Sequence, residues 1–171
     1  MQMKCPDSLE LLERIESTFP MVNMPPAEAL PLRNLSAGIA GDLIKDLEEF
    51  RGKLANVSLI RSVHQEMTRL SPRAWQWLLP HYLRFCMTSE AERSRMEMEF
   101  LIYNLRPSAE FRDATLERMS LLTEGQVACL IDFLRWCQNS PFWMEYCPED
   151  IAKAVNFLES NLLSKSFRKG S

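Results

Sequence analysis

Leu70-Ser-Pro-Arg-Ala-Trp-Gln-Trp-Leu-Leu-Pro-His-Tyr-Leu-Arg-Phe-Cys-Met87 is the densest run of aromatic and apolar residues in the chain, and its reading decides the fold. Ser71 has the oxygen a helix N-cap needs, and Pro72 suits the first helical position, where its missing N–H costs nothing. Trp75, Leu78, Leu79, Tyr82 and Phe85 then recur at steps of three and four, one broad apolar face directed at a core. Trp77 and Arg84, seven apart, fall on another side, where an exposed tryptophan beside an arginine has the composition of an interface hot spot. Pro80 cannot donate to the carbonyl of Gln76, so a kink is expected there.

Upstream, Asn56 can cap a helix whose Val57, Ile60, Val63, Met67 and Leu70 share one side and run into this stretch. Before it, Ile39, Leu43, Ile44, Leu47 and Phe50 mark an amphipathic helix that Gly52 ends, with Glu48 and Glu49 on its acidic outer face. Pro20, Pro25, Pro26 and Pro31 argue against regular structure over residues 20–35, which are expected to cross the surface as a long loop and a candidate partner contact. Asp7 with Glu10, followed by Leu9, Leu12, Ile15 and Phe19, predicts a first helix over 8–19.

Downstream, Thr88 or Ser89 opens a charged helix to about residue 104, with Met98, Leu101, Ile102 and Leu105 inward. Past Pro107, a shorter helix over 108–119 is expected to turn Phe111, Leu116 and Met119 inward. Thr123 and Gln126 have capping-box spacing, and Leu122 and Val127 stand where a hydrophobic staple requires, so a helix spans 124–138. Asn139-Ser140-Pro141 then breaks the chain, Phe142-Trp143-Met144 forms an apolar plug, and Pro148 opens a last helix bearing Ile151, Val155 and Leu158. Sustained two-residue alternation is absent. The expectation is an all-α, single-domain irregular bundle of about seven helices over 1–164, with a disordered basic tail at 165–171.

At 171 residues, 46% hydrophobic and 25% charged, the chain can bury a core without metal or disulfide, and no apolar run is long enough to span a membrane. A net charge of −3 with interleaved signs supplies no basic groove, which argues against nucleic acid or an anionic membrane as partner. Five unpatterned cysteines, Cys5, Cys86, Cys129, Cys137 and Cys147, and an acidic N-terminal stretch without a secretory pattern point to reduced thiols in the cytoplasm. With five glycines and no Gly-rich loop before a lysine, phosphate-loop nucleotide binding is ruled out, and the two histidines, His64 and His81, lack metal-ligand spacing. No cofactor is expected. Catalysis, if the chain had it, would centre on a cleft at His81 with Glu66, Glu97 or Glu99, since only histidine titrates near neutral pH unaided.

The Leu70–Leu83 block, followed by Leu122-Thr-Glu-Gly-Gln126 and then Phe133-Leu134, resembles a family of small bacterial helical proteins of unknown function. Its members carry Leu-Ser/Thr-Pro, an aromatic, Leu-Pro-x-Tyr/Phe-Leu and later a Leu-Thr-x-x-Gln helix start. The resemblance extends over 42–137 and includes Phe50-Arg-Gly-Lys53; where the family often has tryptophan soon after that glycine, this chain has Ala55. It implies a helical bacterial cytoplasmic protein and transfers no catalytic residue. By analogy of type, the expectation is a protein-protein interaction module, an immunity (antitoxin-like) protein that neutralises a toxin or effector encoded nearby, itself a monomer or homodimer. Trp77, Arg84, Trp143, Glu48 and Glu49 are the expected contact residues. The alternative is a small enzyme or ligand-binding domain using the cleft near His81.

Overall fold

The computed structural model describes residues 7–53 and 55–163, and these form ten α-helices with no strand among them. In chain order they are α1 (Ser8–Thr18), α2 (Ala37–Glu48), α3 (Val57–Val63), α4 (Pro72–Cys86), α5 (Ser89–Ser94), α6 (Met96–Leu105), α7 (Arg112–Arg118), α8 (Glu124–Asn139), α9 (Pro141–Tyr146) and α10 (Pro148–Leu158). The fold is an all-α irregular bundle around one hydrophobic core. None of the described helices is long and apolar enough to cross a membrane. The basic tail expected at 165–171 lies outside the described residues, as does Cys5.

Helix starts follow local chemistry. The Asp7 carboxylate accepts from Glu10 N (2.8 Å), the Asn56 amide oxygen from Leu59 N (3.1 Å), Ser71 Oγ from Ala74 N (3.1 Å) and Thr88 Oγ1 from Ala91 N (3.3 Å). At α8 the capping box closes in both directions, Gln126 N donating to Thr123 Oγ1 (3.2 Å) and Thr123 N to Gln126 Oε1 (3.0 Å).

Three long expected helices are shorter in the structure. The one expected over 57–70 ends at Val63 and resumes as a 3-10 turn at Met67–Arg69. The charged helix over 89–104 is two, divided at Arg95, whose φ of 65° is left-handed and redirects the chain into α6. The helix expected over 108–119 is a 3-10 turn followed by α7. Conversely, the apolar plug is helical, as α9. In the first of these breaks the apolar spacing of Val57, Ile60, Val63, Met67 and Leu70 continues across the break, so periodicity alone does not mark it.

α4 passes through Pro80 without interruption and is packed by α1, α3, α5 and α7, which is why nine of its fifteen residues are buried. Trp75 sends its indole N–H to Met67 O (2.9 Å), and Tyr82 its hydroxyl to Glu97 O (2.6 Å), so both large rings are buried with their polar atoms paired. α8 is the second axis, covered by α1, α9 and α10; α10 also packs on α6. Gln126 Nε2 reaches Thr18 O (3.3 Å), tying the start of α8 to the end of α1. Full burial of a side chain such as Leu79 or Phe133 is worth about 1.5–3 kcal/mol, against at most about 1 kcal/mol for an exposed ion pair like Lys153–Glu149. The core therefore carries the fold.

Residues 20–35 depart from the expected free loop. Ala27–Ala29 form a 3-10 turn, Pro31 bridges Leu70, Ser71 N donates to Leu30 O (2.9 Å), and Leu30 is fully buried. Proline excluded a helix there but not a backbone edge laid against the start of α4.

Candidate functional site

Two of the five expected contact residues are not on the surface. Trp77 is 6% exposed and meets His81 edge-on (ring centroids 6.1 Å apart); Trp143 is 1% exposed and stands against Phe142 and Tyr146 (4.9 and 6.1 Å). The expected outward position of Trp77 assumed a helix with one covered side, whereas α4 has neighbours on several. Trp143 is the anchor that seats α9 on α8.

Arg84 is half-buried and occupied, donating to Pro80 O (3.0 Å), to Phe19 O (3.4 Å) and to Met21 Sδ (3.5 Å), so it closes the C-terminus of α1. Glu48 pairs with Arg51, which also donates to Pro25 O (2.7 Å) and holds the proline-rich segment; Glu49 is exposed.

His81 does line a cavity of about 270 Å³, with Asn56, Ile60, Arg84 and Phe85 among its walls. Burial, and then the Arg84 charge, hold its imidazole below the ordinary histidine range. Its expected carboxylate partner is engaged elsewhere: Glu97 takes Arg61 (3.0 Å) and Ser94. Desolvation pushes the Glu97 carboxyl upward, but the hydrogen bonds from Ser94 and Arg61 outweigh it and leave the group below the usual carboxylate range. Of the other two expected carboxylates, Glu99 accepts from Tyr146 (3.0 Å) and Glu66 pairs with Arg69 (2.6 Å). A histidine beside a guanidinium, without a carboxylate to orient it, is a poor general base. Burial raises the thiols of Cys86, Cys129 and Cys147, the last two to about 11, so none of these three is a ready thiolate nucleophile near neutral pH. Among the described residues, no three His, Cys, Asp or Glu side chains converge as a cation site would require.

What does gather on one surface is a group from α6 and α9. The left-handed turn at Arg95 places its guanidinium 4.0 Å from the Phe142 ring centroid and 6.0 Å from that of Tyr146. Tyr146, 46% exposed, donates to Glu99 Oε2 (3.0 Å), a hydrogen bond that raises the phenol pKa. One turn along α6 stands Tyr103, 48% exposed, with Arg106 4.5 Å from its ring centroid; Arg106 in turn pairs with Asp150 (3.0 Å). Met96, also exposed, shares that outer face at helical spacing.

The surface is thus two tyrosines, a phenylalanine and a methionine interleaved with two arginines, each held in orientation by a ring or a carboxylate. Tyrosine, methionine and arginine are the residues enriched in protein interfaces, and rings stacked on guanidinium groups are ordered before any contact is made. The sequence does not announce this surface, because Tyr103 and Tyr146 stand in the runs Phe100-Leu101-Ile102-Tyr103 and Phe142-Trp143-Met144-Glu145-Tyr146, which have the composition of core; only the break at Arg95 brings its guanidinium to the rings.

The family described as "Family of unknown function (DUF6714)" matches residues 51–142, from the end of α2 to the start of α9. This overlaps the 42–137 segment that carries the motif resemblance. No curated protein and no solved structure matches the chain.

Proposed function

Since the chain belongs to the DUF6714 family, whose function is unknown, its role has to be argued from its own surface, and we propose that it is a protein-interaction module contacting its partner through the outer faces of α6 and α9. The observation that supports this is the exposure of Tyr103 and Tyr146 at nearly half their surface while their rings or hydroxyls are fixed by Arg106, Arg95 and Glu99. Rigid aromatic contact area loses little conformational entropy on binding, which is what makes tyrosine effective at interfaces. The narrower form of the proposal is an immunity protein of bacterial cytoplasm that neutralises a toxin or effector encoded beside it, and it rests on analogy of type with small acidic helical proteins.

Co-expression with the products of neighbouring genes, followed by co-purification and titration calorimetry, tests the reading. A complex is expected whose affinity falls at least about tenfold in Tyr103→Ala and in Tyr146→Ala, in line with hot-spot losses of about 2 kcal/mol, while both free variants keep the helical circular dichroism of the parent. Absence of any complex, or one indifferent to both substitutions, overturns it. Rescue of cells from the co-expressed partner's toxicity would establish the narrower form.

A further inference from the structure

Arg95 and Arg106 both lie against aromatic rings on the outer faces of α6 and α9, but only one of them has its charge matched. Arg106, over the Tyr103 ring, pairs with Asp150 (3.0 Å). Arg95 is exposed and lies over the Phe142 ring, and it forms no ion pair and no side-chain hydrogen bond among the described residues. All of its guanidinium N–H donors are therefore unused by the fold. The carboxylate one turn along α6 belongs to Glu99, and its Oε2 takes the Tyr146 hydroxyl instead (3.0 Å).

The backbone sharpens the question of why arginine stands here. Its φ of 65° is a left-handed conformation that a residue with a Cβ disfavours and glycine adopts freely. The main-chain bonds of the turn, Arg95 N to Ala91 O (2.9 Å) and Glu99 N to Arg95 O (3.1 Å), need no side chain. Glycine would make the same turn with less strain, so the fold alone does not account for the arginine. Strain held at such a position is a mark of function. What the side chain supplies is a cation fixed 4.0 Å from the Phe142 ring centroid and 6.0 Å from that of Tyr146, beside the exposed Met96. A guanidinium so placed takes a carboxylate through two parallel hydrogen bonds, and its apolar flanks keep water from the pair.

We propose that the partner of the α6–α9 surface presents a single Asp or Glu carboxylate, flanked by apolar side chains, to the Arg95 guanidinium. The inference rests on the reading of that surface as a protein contact. One acid is specified, and not a run of them, because the Glu99 carboxylate stands one turn away and would repel a second. The apolar neighbours of that acid pack on Tyr146 and Met96, each about half exposed.

Two experiments test it. In the first, the isotopically labelled full chain is titrated with the peptide acetyl-Ser-Leu-Glu-Leu-Ser-amide and with its glutamine counterpart, and the Arg95 Nε–H resonance is followed. The acidic peptide is expected to move that resonance saturably and to bind about tenfold more tightly than the glutamine peptide, the increment of a charge-assisted hydrogen bond. Arg95→Gly should abolish the difference with the thermal midpoint unchanged or raised, because glycine keeps the turn. Absence of a shift, or equal binding of the two peptides, overturns the assignment. In the second, the complex obtained by co-expression is measured again with Arg95→Gly, and a loss of at least about tenfold in affinity is expected. A complex that weakens in Tyr103→Ala but not in Arg95→Gly overturns the carboxylate and leaves the contact surface standing. If no complex forms, the surface reading fails and the peptide titration decides the carboxylate site by itself.

Discussion

Glu97 is buried and His81 half-buried, and their environments give the protein two separate pH windows. The folded-state pKa of Glu97 is depressed, so its contribution is complete above the unfolded carboxylate value of about 4.3 and is lost as pH falls through that value and then through the lower folded one. Glu97→Gln keeps the shape but discards the charge that Arg61 and Ser94 converge on. A loss of about 1–3 kcal/mol is expected in urea unfolding at pH 7, shrinking as the comparison is repeated toward pH 3. His81 behaves in the opposite chemical sense: its folded pKa lies below the unfolded value of about 6.5, so the unfolded chain takes up the proton first and stability declines as pH drops from that value. His81→Gln should therefore flatten the stability profile between about pH 6.5 and 5 while leaving the more acidic Glu97 limb in place. A profile unchanged by the substitution would show that another group is responsible.

Among the elements, α8 has a start signal that was complete in the sequence: Thr123, Gln126, Leu122 and Val127 stand at the offsets a capping box and staple require, and the structure contains the reciprocal hydrogen bonds. Thr123→Ala leaves Gln126 N without its side-chain acceptor and should cost about 1 kcal/mol, read as a lowered urea midpoint with unchanged slope. A changed slope would instead mean that the substitution alters how much surface unfolding exposes. The caps at Asp7, Asn56, Ser71 and Thr88 were legible for the same reason, since each depends on residues three positions apart. Arg95 was not. Its left-handed turn has no glycine or asparagine to announce it, and the apolar spacing of Met98, Leu101, Ile102 and Leu105 is compatible with one long helix. Phe111 shows the same limit: expected inward, it is 58% exposed because a 3-10 turn precedes α7 and turns the ring outward.

At the scale of the whole molecule, the side chains that gather at one place come from distant parts of the chain. His64 and Arg118 are brought to one cavity by the packing of α4 on both α3 and α7, and Arg95 meets Tyr146 through α9, which Trp143 anchors on α8. Trp77 and Trp143, expected at the surface, are instead core residues, since nothing in the local spacing says how many neighbours a helix will have. The sequence by itself determined the all-α class, most helix starts and the apolar faces, because caps and periodicity act within a turn or two of chain. Only the tertiary structure decided which side chains are exposed, which polar atoms lack partners and where cavities remain. Those depend on how helices distant in sequence pack, and packing is set by the volumes of many side chains at once rather than by any local pattern.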